Sequence, residues 1–158
     1  CFLKGFLGQH HETVSFVNAE QLAQRIGLRI EEEKDHHFSD YENALKCTLS
    51  KREEEFTIGG VVFSGPHPRL TLINGFVLEM APTGTILTIK NNDRPGIIGA
   101  IGACLGKHNV NIDQFNLGRD QKGGEAMALL RVDEDIEENV LRELVRLPNI
   151  NFVCKIKL

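Results

Sequence analysis

The chain contains no tryptophan and a single tyrosine, and aromatic residues make up 6% of its 158 positions. Base-stacking surfaces need aromatics set among basic residues, and no such stretch exists here. Lys and Arg number 18 against 22 Asp and Glu, giving a net charge of −4 and a pI near 5.9. That balance disfavours nucleic acid or an acidic membrane surface as partner. Long hydrophobic runs are missing too. The longest, Ile97 to Leu105, falls far short of the roughly 20 residues a spanning helix needs. No charged-then-apolar leader opens the chain.

Cysteine is sparse. Cys1, Cys47, Cys104 and Cys154 are scattered without paired spacing, and three of them sit inside apolar patterns, where a thiol acts as a small hydrophobe. Reduced thiols in a cytoplasmic protein are expected.

Catalytic motifs are equally lacking. Glycines are frequent from Gly96 to Gly106, but no Gly-x-Gly-x-x-Gly follows a strand and no Gly-Lys-Ser/Thr occurs. The phosphate-cradling reading therefore fails, and Gly99, Gly102 and Gly106 are expected to let a helix approach a sheet closely. His10-His11 and His36-His37 are adjacent pairs. Neighbouring side chains point apart, so neither pair makes a chelating face. His67 and His108 are expected at the surface. The charge runs Glu31 to Asp35 and Lys51 to Glu55 read as solvated segments. No Ser or Cys has an identifiable base beside it. No catalytic residue and no metal site are expected.

What is present is ordinary globular material: 41% hydrophobic and 25% charged residues, enough for one medium domain or two small ones. The opening Cys1-Phe2-Leu3-Lys4-Gly5-Phe6-Leu7-Gly8 starts mid-pattern, as expected of a segment of a longer chain. Asn18 to Gly27 reads as a short capped helix ended by glycine. Leu28-Arg29-Ile30 is expected to begin a strand, with a polar loop from Asp35 to Asp40. Leu45 to Leu49 alternates like a half-buried strand. Phe56 to Phe63 does so too, with Gly59-Gly60 breaking or bulging it. Leu70 to Ile73 and Phe76 to Met80 flank Asn74-Gly75, which specifies a hairpin with a type I′ turn.

Ala81 to Gly84 is the expected boundary, dividing residues 1–82 from 83–158. Beyond it the order is strand (Thr85–Lys90), helix (Pro95 to about Leu105, with Gly106 as C-cap), strand (Val110–Leu117) and strand (Glu125–Val132). A helix within Asp133–Arg146 and a strand (Ile150–Ile156) complete it. The second helix carries the stripe Ile136, Val140, Leu141, Leu144 and Val145. The fold class is α+β: an antiparallel sheet with a helix, then a ferredoxin-like βαββαβ unit. One sheet face, or an edge strand, is expected to be covered by a partner.

Chemistry concentrates at Asn91-Asn92-Asp93-Arg94-Pro95-Gly96, where a strand gives way to a helix. Helix N-terminal N–H groups suit a carboxylate. Asp93 suits an ammonium. Asn91 and Asn111 add neutral donors and acceptors. The same residues serve equally well as a cap and a turn, and the pattern does not choose.

Asn91 to Gly99, Leu105 to Ile112, Gly118-Arg119 and Gly123 to Ala126 together resemble an ACT domain of the kind found at the C-terminus of bacterial-type D-3-phosphoglycerate dehydrogenases. Ser15 to Ala19, Gly60 to Phe63 and Leu72 to Phe76 are similar to the same enzymes' intervening domain, also called the allosteric substrate-binding domain. The resemblance covers nearly the whole chain. It implies an NAD-dependent oxidoreductase of L-serine biosynthesis as the parent, whose nucleotide-binding and catalytic residues lie outside this chain. It implies L-serine, or a similar small amino acid, bound between ACT domains of a homodimer or tetramer. By resemblance Asn91, Asp93, Arg94, Pro95, Gly96, Ile97 and Ile98 of one chain and Asn111 of its neighbour hold the effector. Asp93 would face the ammonium, and helix N–H groups the carboxylate. Arg69 matches one position of a possible anion site, whereas Phe76 and Ala81 stand where basic residues would. A related domain pair occurs in L-serine dehydratases, and an ACT dimerisation module without effector is a further alternative. The iron–sulfur cysteines and Ser-Ser-His-Thr segment of the dehydratases do not occur here.

Overall fold

A computed structural model describes residues 2–8, 11, 13–34, 43–63, 65 and 67–158. His10, His36, His37, Cys1 and the expected loop at 35–40 lie outside the described residues. The chain divides into two compact units, Cys1–His37 and Phe38–Leu158.

The first unit holds α1 (Phe2–Gly8) and α2 (Ala19–Arg25). The sequence reading did not anticipate α1. Phe2 and Phe6, one helical turn apart, stack with centroids 6.0 Å apart. In α2 the buried residues are Ala19 and Ala23. Gly27 ends it as expected, with φ +81, and the Leu28 N–H donates to Ala23 O at 2.9 Å. No strand follows. Residues 28–34 are irregular, because a strand exists only through a hydrogen-bonded neighbour, and none pairs with this stretch among the described residues.

The second unit carries two four-stranded antiparallel sheets. The first is the meander β1 (Ala44–Lys51), β2 (Glu54–Phe63), β3 (His67–Ile73) and β4 (Phe76–Met80). Gly59 pairs with Leu72 but Gly60 with Leu70, so Gly59-Gly60 marks a bulge rather than a break. Asn74 and Gly75 both have positive φ, +48 and +86, the backbone a type I′ turn demands. The Asn74 side chain also accepts from the Thr57 N–H at 2.8 Å.

The second sheet is β5 (Thr85–Asn92), β6 (Ile112–Arg119), β7 (Glu125–Val132) and β8 (Ile150–Lys157), in the order β6-β7-β5-β8. With α3 (Ile97–Lys107) and α4 (Glu138–Val145) this is the expected ferredoxin-like βαββαβ unit. Alternate residues of β5 and β7 (Leu87, Ile89, Ala128 and Leu130) share a core with Ile101 and Leu105 of α3 and Val140 and Leu144 of α4. The intervening residues Ile86, Met127 and Leu129 cluster with Ile73, Phe76, Leu78 and Met80 of β3 and β4. Strands buried on both faces lose the alternation of a half-buried strand, which explains the unbroken apolar run Ala126 to Leu130.

The expectation that a partner covers the second face is corrected in part, because β3 and β4 of the same chain cover it. The β6 edge is flanked as well. Gln114 and Asn116 side chains both donate to Glu79 O, at 3.1 and 3.0 Å. Among the described residues, the edge that β8 presents has no neighbouring strand.

Helix ends differ from expectation. Pro95 lies in the turn before α3, not in its first turn, and Gly96 is the N-cap with φ +93. The helix runs through Gly106 to Lys107, and the left-handed residue after it is Asn109, φ +56. Asn tolerates that region better than most L-residues. The glycine packing expectation is also overturned: a Cβ at Gly99, Gly102 or Gly106 would meet nothing within 4 Å. These glycines face outward, and Ile101, Cys104 and Leu105 make the buried face. In α4, Val145 is 47% exposed and falls off the buried stripe. His108 is not a free surface residue. Its Nε2 lies 2.8 Å from a Glu143 oxygen, and Lys107 Nζ lies 2.8 Å from the other, tying the end of α3 to α4.

Candidate functional site

β5 and β6 each run antiparallel to β7, so they point the same way and end together. The loop after β5 therefore lies beside the β6–β7 turn. A cleft of about 500 Å³ opens there, lined by Asn91, Asp93, Arg94, Pro95, Gly96, Ile97, Ile98 and Gly99, and by Leu117, Arg119, Lys122 and Gly123. The structure thus gathers every expected site residue of the 91–98 segment.

The loop is held from both sides. The Asn92 N–H donates to Asn149 O at 2.9 Å, and the Asp93 N–H donates to Gly124 O at 2.8 Å. The Asn151 side-chain amide donates to Asn92 Oδ1 at 3.2 Å. Two consecutive residues are thereby anchored to opposite neighbours, which fixes where Asp93 points.

Asp93 is not a helix cap. No side chain caps α3, and Asp93 Oδ2 instead accepts from the Gly123 N–H at 3.0 Å and from Arg119 Nη1 at 3.3 Å. The Gly123 N–H, then Arg119, and the charge of Arg94 hold the Asp93 carboxyl below the usual carboxylate value, because each favours the charged form. Gly123 reaches this position with φ +76, a region that glycine enters without steric cost.

Asn91 forms the buried floor, 1% exposed. Its Nδ2 donates to Asn92 O at 2.9 Å. That oxygen can only accept, so the amide nitrogen must face it. Oδ1 is left buried without a hydrogen-bond partner. An unmet buried acceptor costs on the order of 1–3 kcal/mol. The first turn of α3, which lines the same cleft, has no capping side chain; the Ile97 N–H donates to Arg94 O at 3.4 Å, and a helix N-terminus is a favourable place for an anion.

Asn111 and Arg69 are not brought to this cleft. Ile112 pairs with Val132, and Val132 with Thr85. Asn111 therefore sits at the opposite end of the sheet, on the order of 20 Å from Asn92 at the usual rise per residue. It is exposed, its side chain donating to Asp133 Oδ2 at 2.7 Å. Arg69 lies on β3 with its Nε 4.0 Å from Glu79 Oε1, and Phe76 is buried in the second core.

The sequence reading missed Leu117, Arg119, Lys122 and Gly123 as lining residues. The signal was in the topology: two strands that start and end together place the turn at 118–124 next to the loop at 91–96. Among the described residues no cluster of three or more His, Cys, Asp or Glu could hold a metal, and no helix is long and apolar enough to cross a membrane. Cys47, Cys104 and Cys154 are free thiols.

Residues 1–74 match the D-3-phosphoglycerate dehydrogenase intervening domain, and residues 85–149 match the ACT domain. The D-3-phosphoglycerate dehydrogenase of Bacillus subtilis is 33% identical over 95% of this chain and 29% of its own length. That of Methanocaldococcus jannaschii is 32% identical over 100% of this chain and 30% of its own length. A Bacillus subtilis protein described as a probable L-serine dehydratase, beta chain, is 30% identical over 87% of this chain and 63% of its own length. The chain spans under a third of the dehydrogenases it matches. It is an ACT-domain-containing regulatory region related to the bacterial-type D-3-phosphoglycerate dehydrogenase family.

Proposed function

We propose that this chain is the feedback-sensing part of an NAD-dependent D-3-phosphoglycerate dehydrogenase, and that its cleft at residues 91–98 binds L-serine or a similar small amino acid. In this reading residues 1–82 act as the intervening domain and 83–158 as the ACT domain. NAD and the catalytic residues belong to other parts of the enzyme. The observation that carries the reading is one of complementarity. Uncapped N–H groups of α3 suit a carboxylate, Asp93 suits an ammonium, and the unmet Asn91 Oδ1 suits a donor. An α-amino acid supplies all three within a few bonds.

The site is completed by Asn111 of a second chain. Within one chain Asn111 is exposed and remote from the cleft, so only another copy could bring it there. Effector binding then favours one pairing of subunits, and differential binding between pairings is what transmits a signal. Calorimetric titration with L-serine tests this. Saturable heat is expected, with its loss in Asp93→Ala, and a flat titration of folded protein refutes it.

The similarity to the dehydratase beta chain supports a second reading, in which the same module serves an L-serine dehydratase. Iron content and visible absorption of the intact parent protein separate the two, since only an iron–sulfur enzyme absorbs there.

A further inference from the structure

The charges around the cleft exceed what a zwitterion uses. Arg94, Arg119 and Lys122 line it against one lining carboxylate, Asp93, leaving the wall two positive charges in excess. Of the nearby acids, Glu125 is paired with Lys90 at 2.8 Å, while Asp120, on the same turn as Lys122, accepts from the Gln121 N–H and keeps its charge, which leaves a smaller but still positive balance around the cleft. Among the described residues, the Arg94 and Lys122 side chains form no ion pair.

From this wall we infer that the preferred ligand is an α-amino acid whose side chain ends in a phosphate, with Arg94 and Lys122 as the residues that select for it. The inference rests on the amino-acid reading above. The α-ammonium takes Asp93 and the α-carboxylate takes the α3 N–H groups. Asn91 Oδ1, buried and unmet, supplies the independent sign that a ligand with a donor belongs there. The phosphate, carrying roughly −1.5 to −2 at neutral pH, meets the excess positive charge. Lys122 stands beside Gly123 on the turn that donates to Asp93, so one turn reads both ends of such a molecule.

The experiment titrates the chain with L-serine, O-phospho-L-serine, L-aspartate and inorganic phosphate at one ionic strength. O-phospho-L-serine is expected to bind about tenfold more tightly than L-serine, the gain of charge-assisted hydrogen bonds, with L-aspartate between them and inorganic phosphate weakest. In Lys122→Ala the advantage shrinks to about twofold or less, while L-serine affinity holds. Equal or tighter binding of L-serine overturns this inference and leaves the amino-acid reading intact. Tighter binding of L-aspartate than of O-phospho-L-serine, or inorganic phosphate matching O-phospho-L-serine, also overturns it. Absence of binding by all four ligands overturns both.

Discussion

The Arg119 guanidinium sits 3.3 Å from the Asp93 carboxylate, across the cleft from the first turn of α3. In the ligand-free chain this pair satisfies the group that an ammonium would otherwise engage. A ligand amine must therefore compete with Arg119, and the displaced guanidinium becomes available to an anionic group.

Replacing Arg119 with Gln removes that competitor and part of the force on the Asp93 proton. The Asp93 pKa is expected to rise toward its ordinary value without reaching it, because the Gly123 N–H is the larger cause of the depression. Carboxylate-resolved NMR titration of both proteins measures this. A depressed native pKa contributes stability that is present above the unfolded value and lost as pH falls through the native one. Wild type should therefore lose more stability than Arg119→Gln on acidification below the ordinary carboxylate value. An unchanged Asp93 titration contradicts the pairing.

Glu143 gives a second acid-sensitive contact. Lys107 and then His108 hold its pKa down, so the tie between α3 and α4 weakens as pH falls through the Glu143 titration. Glu143→Gln should flatten this part of the stability profile, measured by thermal unfolding from pH 7 to pH 3.

Two glycines should respond oppositely to alanine. A Cβ at Gly118 would stand 2.6 Å from Val77 O, where β4 flanks β6. Gly118→Ala is expected to cost about 1–3 kcal/mol, as overpacking does. Gly102 lies inside α3 with nothing within 4 Å of its Cβ position. Gly102→Ala is expected to stabilise by roughly 0.5–1 kcal/mol. Denaturant melts of the two variants give the signs.

Gly123→Ala tests the turn itself. With φ +76 an added Cβ costs about 1–2 kcal/mol. The displaced N–H should also weaken ligand binding, whereas Gly118→Ala acts first on stability. Comparing melting and titration for both separates the effects.

Much of the fold was legible in the sequence, and the failures have definite physical causes. Asn74-Gly75 announced its turn because few other pairs accept two positive φ values. The βαββαβ order followed from periodicity and breakers. Helix ends failed where two residues competed for one role: Pro95 against Gly96 at the start of α3, and Gly106 against Asn109 at its end. Leu28 to Ile30 has strand composition but, among the described residues, no strand to pair with, which composition cannot reveal. Within the site, the local half from Asn91 to Ile98 was readable because it is contiguous. Arg119, Lys122 and Gly123 join it only through strand direction. Arg119 and Gly123 enter the sequence pattern only through the family resemblance.

The most direct test of the central claim, a site shared between two chains, mixes Asp93→Ala with Asn111→Ala protein after subunit exchange and titrates with L-serine. Each variant alone is expected to give no saturable binding. In a two-fold dimer each site takes Asp93 from one chain and Asn111 from the other, so random mixing should restore about a quarter of the wild-type sites. A mixture as flat as its two components, with exchange demonstrated and both proteins folded, would contradict the shared site.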